Sequence, residues 1–247
     1  MNYEYRRQLP APVQALVDEI EGHIGREIGV SRNPQMGCGA RANPKAVTIE
    51  YRDELTTENM LHELLHLRRQ LVNGIPVAGF PSGTKVGAPE GAPEDSESVM
   101  AGVSWLWFDL HVEHAAIFET MREMGYPEDL SAYRAAVDKL GSWDAPNRRL
   151  VAFGLYLVLM RHGTIGDRNN LVARLIEFDL LNPARELDTL IRKLEGRKVD
   201  QIVASVRAAR IKQACIQVVY YDGKQGTKEV LSVEQALERE ARAGRVN

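Results

Sequence analysis

The sequence predicts an α+β fold that is predominantly helical, with a short sheet in its first half and one β-hairpin near its end. Two observations predict it. Strand-like runs flank a glycine-rich loop between residues 26 and 53, and the second run alternates. Val47, Ile49 and Tyr51 fall on one side of it, Thr48 and Glu50 on the other. From residue 129 to 214, by contrast, apolar residues recur at helical spacing with few interruptions. At 247 residues the chain can bury a sizeable core, as one large domain or two modest ones.

Each element has a local reason. Residues 11–22 form a helix with Pro12 in its first turn and Gly22 near its end. "REIGVSRN" is a short strand and "KAVTIEYRD" a second. Between them the Gly37-Cys38-Gly39 segment reads as a loop. The next helix is capped by Thr56 or Thr57, carries Glu58 in its first turn and stops at Asn73-Gly74. A Gly- and Pro-rich loop follows, and then a long helical pattern over 93–124. "GYP" at 125–127 ends it and marks the domain boundary. Helices are expected over 129–140, 146–162, 167–180, 183–195 and 198–214. A hairpin turning at Asp222-Gly223 and a final helix close the chain.

Composition narrows the class. The start lacks the apolar core of a signal peptide, and the longest apolar run, 150–160, is about half of a membrane span. The expectation is a soluble, cytoplasmic protein. Two cysteines, Cys38 and Cys215, are too few for a disulfide scaffold, so each is a free thiol or a metal ligand. Charge is uneven. Residues 1–125 carry 11 basic and 18 acidic side chains, and residues 126–247 carry 20 and 16. The halves therefore differ in sign. That fits two functional parts, the second meeting a polyanion, or simply two solvated surfaces.

The chemistry lies in His62-Glu63-Leu64-Leu65-His66, an H-E-x-x-H pattern. Residues four apart share a helix face, so the two imidazoles can hold one Zn²⁺. Glu63 projects beside them as a proton acceptor for hydrolysis. A surface helix that happens to carry two histidines is the bland alternative. The surrounding Met60, Leu61, Leu64, Leu65, Leu67, Leu71 and Val72 weigh against it, because a buried helix would not keep His, His and Glu without partners.

A catalytic zinc needs a third protein ligand. Val99, Val103, Leu106, Leu110, Glu113 and Ile117 form a core-facing stripe with one carboxylate in it, which makes Glu113 the first candidate. His111, His114 and Glu97 are the alternatives, as ligands or, for the histidines, as stabilisers of an oxyanion. An extended substrate is expected to pair with the edge of the 47–51 strand.

The strand running into "TTENMLHELLH", and the later "VEHAAIFETMREMGYP", resemble the ImmA/IrrE-like zinc metallopeptidases, which are minimal gluzincins. Within that group the closest likeness is to the CBASS-associated, CapP-like peptidases. The shared features are a cysteine loop ahead of the strand, the H-E-L-L-H helix and a helical second half. The resemblance implies a metallopeptidase domain over 1–125 and a helical regulatory or sensor domain with a hairpin over 126–247. It implies one Zn²⁺ per chain, held by His62, His66 and Glu113, with Glu63 catalytic. It implies a helix-turn-helix repressor of an anti-phage operon as substrate, and a DNA-damage signal such as single-stranded DNA as activator.

Cys38 then acquires a role. Its thiolate can fill the fourth metal position and hold the enzyme off, in the manner of a cysteine switch. A small buried cysteine in a tight turn is the alternative. The basic segment 192–212, with Arg207, Arg210 and Lys212, is a candidate nucleic-acid contact or a solvated helix face. The competing function is a non-catalytic zincin-scaffold module that binds a protein partner or nucleic acid.

Overall fold

The computed structural model describes residues 1, 3–35, 38–43, 45–79, 112–143, 145–208, 216–225 and 227–243. Its order is α1 (Tyr3–Gln8), α2 (Ala11–Ile24), β1 (Ile28–Arg32), β2 (Gly39–Ala42), β3 (Val47–Tyr51), α3 (Thr57–Leu67), a π turn (Arg68–Val72) and β4 (Val77–Gly79). Residues 112–123 are α4. Then come α5 (Ser131–Asp138), a 3-10 turn (Leu140–Ser142), α6 (Ala145–His162), α7 (Ile165–Glu177), α8 (Leu181–Lys193), α9 (Lys198–Ala208), β5 (Gln217–Tyr221), β6 (Lys228–Ser232) and α10 (Val233–Ala243). The fold is α+β and mainly helical, with two small three-stranded sheets.

The chain divides into two compact units that alternate along the sequence. The first holds 1–77, 117–128 and 219–229; the second holds 78–116, 129–218 and 230–247. The chain passes from the second to the first inside α4.

In the first unit, β1 and β3 pair in parallel, and β2 pairs antiparallel with the other side of β3. The alternation read from the sequence is visible here. Val47 and Ile49 are buried, while Thr48 and Glu50 are half-buried. β3 is thus the central strand. Both its edges are occupied by β1 and β2, which corrects the expectation that a substrate pairs there. The correction has a simple cause. Gly39-Ala-Arg-Ala42 lacks the β-branched residues that announce a strand, yet its backbone completes the ladder.

α3 is capped by Thr56, whose hydroxyl accepts the Asn59 N–H at 3.2 Å. Met60, Leu61, Leu64, Leu65 and Leu67 are all buried. Truncating any one of them to alanine costs about 2–5 kcal/mol at a well-packed site. The helix widens into the π turn, where Asn73 N–H reaches the Arg68 carbonyl at 3.0 Å. Gly74, at φ +63, then turns the chain away. Gly223 packs against this turn. A Cβ there would stand 2.7 Å from the Leu71 carbonyl oxygen.

In the second unit, α6 is buried almost all round, with Leu150, Ala152, Phe153, Leu155, Tyr156, Leu157, Val158 and Leu159 inside. α7 begins with a reciprocal cap. The Thr164 hydroxyl accepts the Asp167 N–H, and the Asp167 carboxylate accepts the Thr164 N–H. Arg134 of α5 bonds the same carboxylate at 2.9 Å. The β5–β6 connection turns at Asp222-Gly223, as the sequence predicts. It spans 222–227, with the Asp222 carboxylate accepting the Lys224 and Gln225 N–H groups.

No helix among the described residues is long and apolar enough to cross a membrane.

Candidate metal centre

The two α3 histidines sit one turn apart and present the same nitrogens to each other, with His62 Nε2 and His66 Nε2 3.2 Å apart. Their rings meet edge-on, with centroids 4.9 Å apart. Two nitrogens on one tetrahedral zinc, each at about 2.0–2.1 Å, stand roughly 3.3–3.4 Å from each other. The pair is therefore spaced as a metal requires, without backbone movement.

α4 brings the neighbours. The Phe118 ring lies 5.8 Å from that of His62, centroid to centroid. His114 is one turn earlier on the same helix and is 5 % exposed. One donor atom from each of His62, His66 and His114 lies within 4.8 Å of the other two. The His114 Nδ1 is engaged by the Tyr133 hydroxyl at 2.8 Å, so Nε2 is the nitrogen it can give to a metal. Three histidines thus converge and could hold one metal ion. Three neutral imidazoles leave the full charge of a divalent cation undiminished, which suits a site that must polarise a ligand.

Glu113 goes elsewhere. It is 2 % exposed and ion-pairs with Lys198 at the start of α9, itself 7 % exposed. The three residues close enough together to share an ion are His62, His66 and His114, the last of which the sequence offered as an alternative; Glu113 is not among them. The reason is the Lys198 ammonium. A buried carboxylate is held by the nearest buried cation. That Lys198 is buried also corrects its reading as part of a solvated basic segment.

Glu63 is 8 % exposed on α3, beside both histidines in sequence. Cys38 is exposed and immediately precedes β2. It does not join the three histidines. Desolvation is the larger effect on its thiol, and the Glu63 carboxylate the next. Together they push its pKa up to about 12, against a small opposing effect of the Gly39 N–H. Without a metal it is a protonated thiol, not a thiolate.

Glu97, His111, Arg210, Lys212 and Cys215 lie outside the described residues. Arg207 is exposed on α9 and lines an open groove of about 450 Å³ with Arg149, Glu186, Leu187, Asp200 and Val203. Two carboxylates on the same wall temper its positive charge.

Three contacts carry no local signal in the sequence. Glu128, Tyr133 and Lys198 reach His62, His114 and Glu113 from other elements. Lys198 is 85 residues from its partner. Compared with family models, with curated proteins and with solved structures, the chain matches none.

Proposed function

We propose that this protein is a zinc-dependent endopeptidase. The observation that carries the reading is the convergence of His62, His66 and His114 around an H-E-x-x-H helix that also bears a buried Glu63. His62, His66 and His114 would hold the ion. When bound, zinc supplies Lewis-acid polarisation of a peptide carbonyl and lets water ionise near neutral pH. Glu63 accepts the proton of the attacking water and returns it to the leaving amine, so the residue ends as it began. Its burial keeps bulk water from competing for that proton.

The substrate is proposed on the resemblance alone. It is a regulatory protein, a helix-turn-helix repressor of a CBASS anti-phage operon, cut in response to single-stranded DNA. Cys38 is proposed as the restraint. The influence of the Glu63 carboxylate on its thiol supports that role, and its sulfur must move to reach the histidines.

The test uses purified protein, zinc analysis, and the repressor encoded beside it, with and without single-stranded DNA. Cleavage by wild type, abolished by Glu63→Gln and by chelation and restored by zinc, is expected. Cleavage by both proteins, or by neither under any stimulus, overturns the reading. Cys38→Ser is expected to cut without stimulus; a silent variant beside an active, stimulated wild type removes the switch.

A further inference from the structure

We propose that Glu128, on the segment that links α4 to α5, and Tyr133, in the first turn of α5, are positioning residues that orient two of the three histidines for the metal. The inference rests on the metal-centre reading above.

Glu128 Oε2 stands 3.4 Å from His62 Nδ1, and both side chains are largely withdrawn from solvent, at 22 % and 14 % exposed. The nitrogen itself is shielded from water. An ionised carboxylate accepts hydrogen bonds and cannot donate them. Beside it, Nδ1 is the nitrogen that keeps the proton, and the lone pair of His62 moves to Nε2. That is the atom facing His66 at 3.2 Å. At 2.8 Å the Tyr133 hydroxyl hydrogen-bonds His114 Nδ1 and leaves Nε2 for the metal. A phenol can donate or accept, so Tyr133 holds the ring in place without dictating its tautomer. Glu128 does both. Carboxylate or hydroxyl partners on the far nitrogen of a metal-binding imidazole fix its orientation and raise its basicity.

A consequence concerns His66. With the lone pair of His62 fixed on Nε2, the short contact between the two rings requires His66 Nε2–H to donate to it. A bound metal ion would take that nitrogen, and the proton would then sit on His66 Nδ1. The ring stays neutral, so His66 is the imidazole that changes tautomer on loading.

Side-chain ¹H–¹⁵N correlation spectra of the metal-free protein, and competition with a chelator for Zn²⁺, test this together. Wild type is expected to show His62 as the Nδ1–H tautomer. Glu128→Leu is expected to scramble that tautomer and to weaken zinc binding about 10–100-fold. Glu128→Gln, whose carbonyl can still accept, should restore much of both. Tyr133→Phe should weaken binding and leave the His62 tautomer alone. If Glu128→Leu keeps the His62 tautomer and binds zinc as tightly as wild type, while His62→Ala loses the metal, the positioning role is overturned and the metal centre stands. If wild type binds no zinc, or His62→Ala binds it equally well, both fall.

Discussion

Glu113 and His114 are adjacent on α4 and both buried, yet they should fail in opposite ways when replaced. Glu113 pairs with Lys198, and the two side chains are 2 % and 9 % exposed. Removing one member leaves the other charge buried, a loss of about 3–5 kcal/mol. For a chain of this size each kcal/mol moves the melting temperature by about 2–4 °C, so Lys198→Met should lower it by roughly 6–20 °C. Replacing both, as Glu113→Leu with Lys198→Met, removes both desolvated charges and should recover most of that loss. Circular-dichroism melts in chelator measure the cycle, and zinc titrations of the same proteins measure the metal. His114→Ala should abolish tight zinc binding, whereas Glu113→Gln should lower stability and leave zinc affinity close to that of wild type. The opposite pattern would refute the assignment. If Glu113→Gln loses zinc while its metal-free melt is unchanged, the carboxylate is the ligand and the Lys198 pair is incidental.

Three further outcomes follow from the geometry. In a Cys215→Ser background without metal, alkylation of Cys38 should be slow at pH 8 and keep rising well beyond pH 9, because its pKa is pushed up to about 12. Glu63→Gln should shift that profile to lower pH, and an ordinary thiol profile would contradict the upward shift. Gly223→Ala should cost about 1–3 kcal/mol in urea unfolding, since its methyl would meet the rigid Leu71 carbonyl at 2.7 Å. Thr164→Ala should cost about 1 kcal/mol by loss of the α7 cap. The Arg134 guanidinium, with the Thr164 N–H, holds the Asp167 carboxyl below the ordinary range. Its contribution is present above that range and fades as pH falls through the lowered value, so Asp167→Asn should flatten the acid limb of stability. Its partner Arg134 is 47 % exposed, so the change should be small and salt-sensitive.

What the sequence made legible was what a period or a motif encodes. The alternation at 47–51 gave β3, the apolar run gave α6, and one i, i+4 pair gave the two histidines that face each other. What it hid was pairing at a distance. Strand β2 has no propensity signature and exists because β3 offers it a ladder. The apolar stripe along α4 drew the eye to Glu113, but a helix buried over a wide arc hides its neighbour His114 as well. Only Lys198, far along the chain, shows where the Glu113 carboxylate is held. The hairpin turns at Asp222-Gly223 as the sequence signals, and the Asp222 side chain supplies bonds that carry the loop on to Thr227.

The order of the first sheet has a consequence for how the molecule can open. β1 and β3 are bonded directly to each other, and β2, which follows Cys38, lies at one edge and is bonded to β3 alone. It can detach while the parallel pair that supports α3 keeps its own ladder. Opening at this edge is therefore a local event, with a free energy set by four residues and not by the stability of the whole fold. Amide exchange on β2 should run ahead of the sheet interior. A signal that acts there would need to overcome only that small barrier, and could expose the helix beside it without unfolding the protein that carries it.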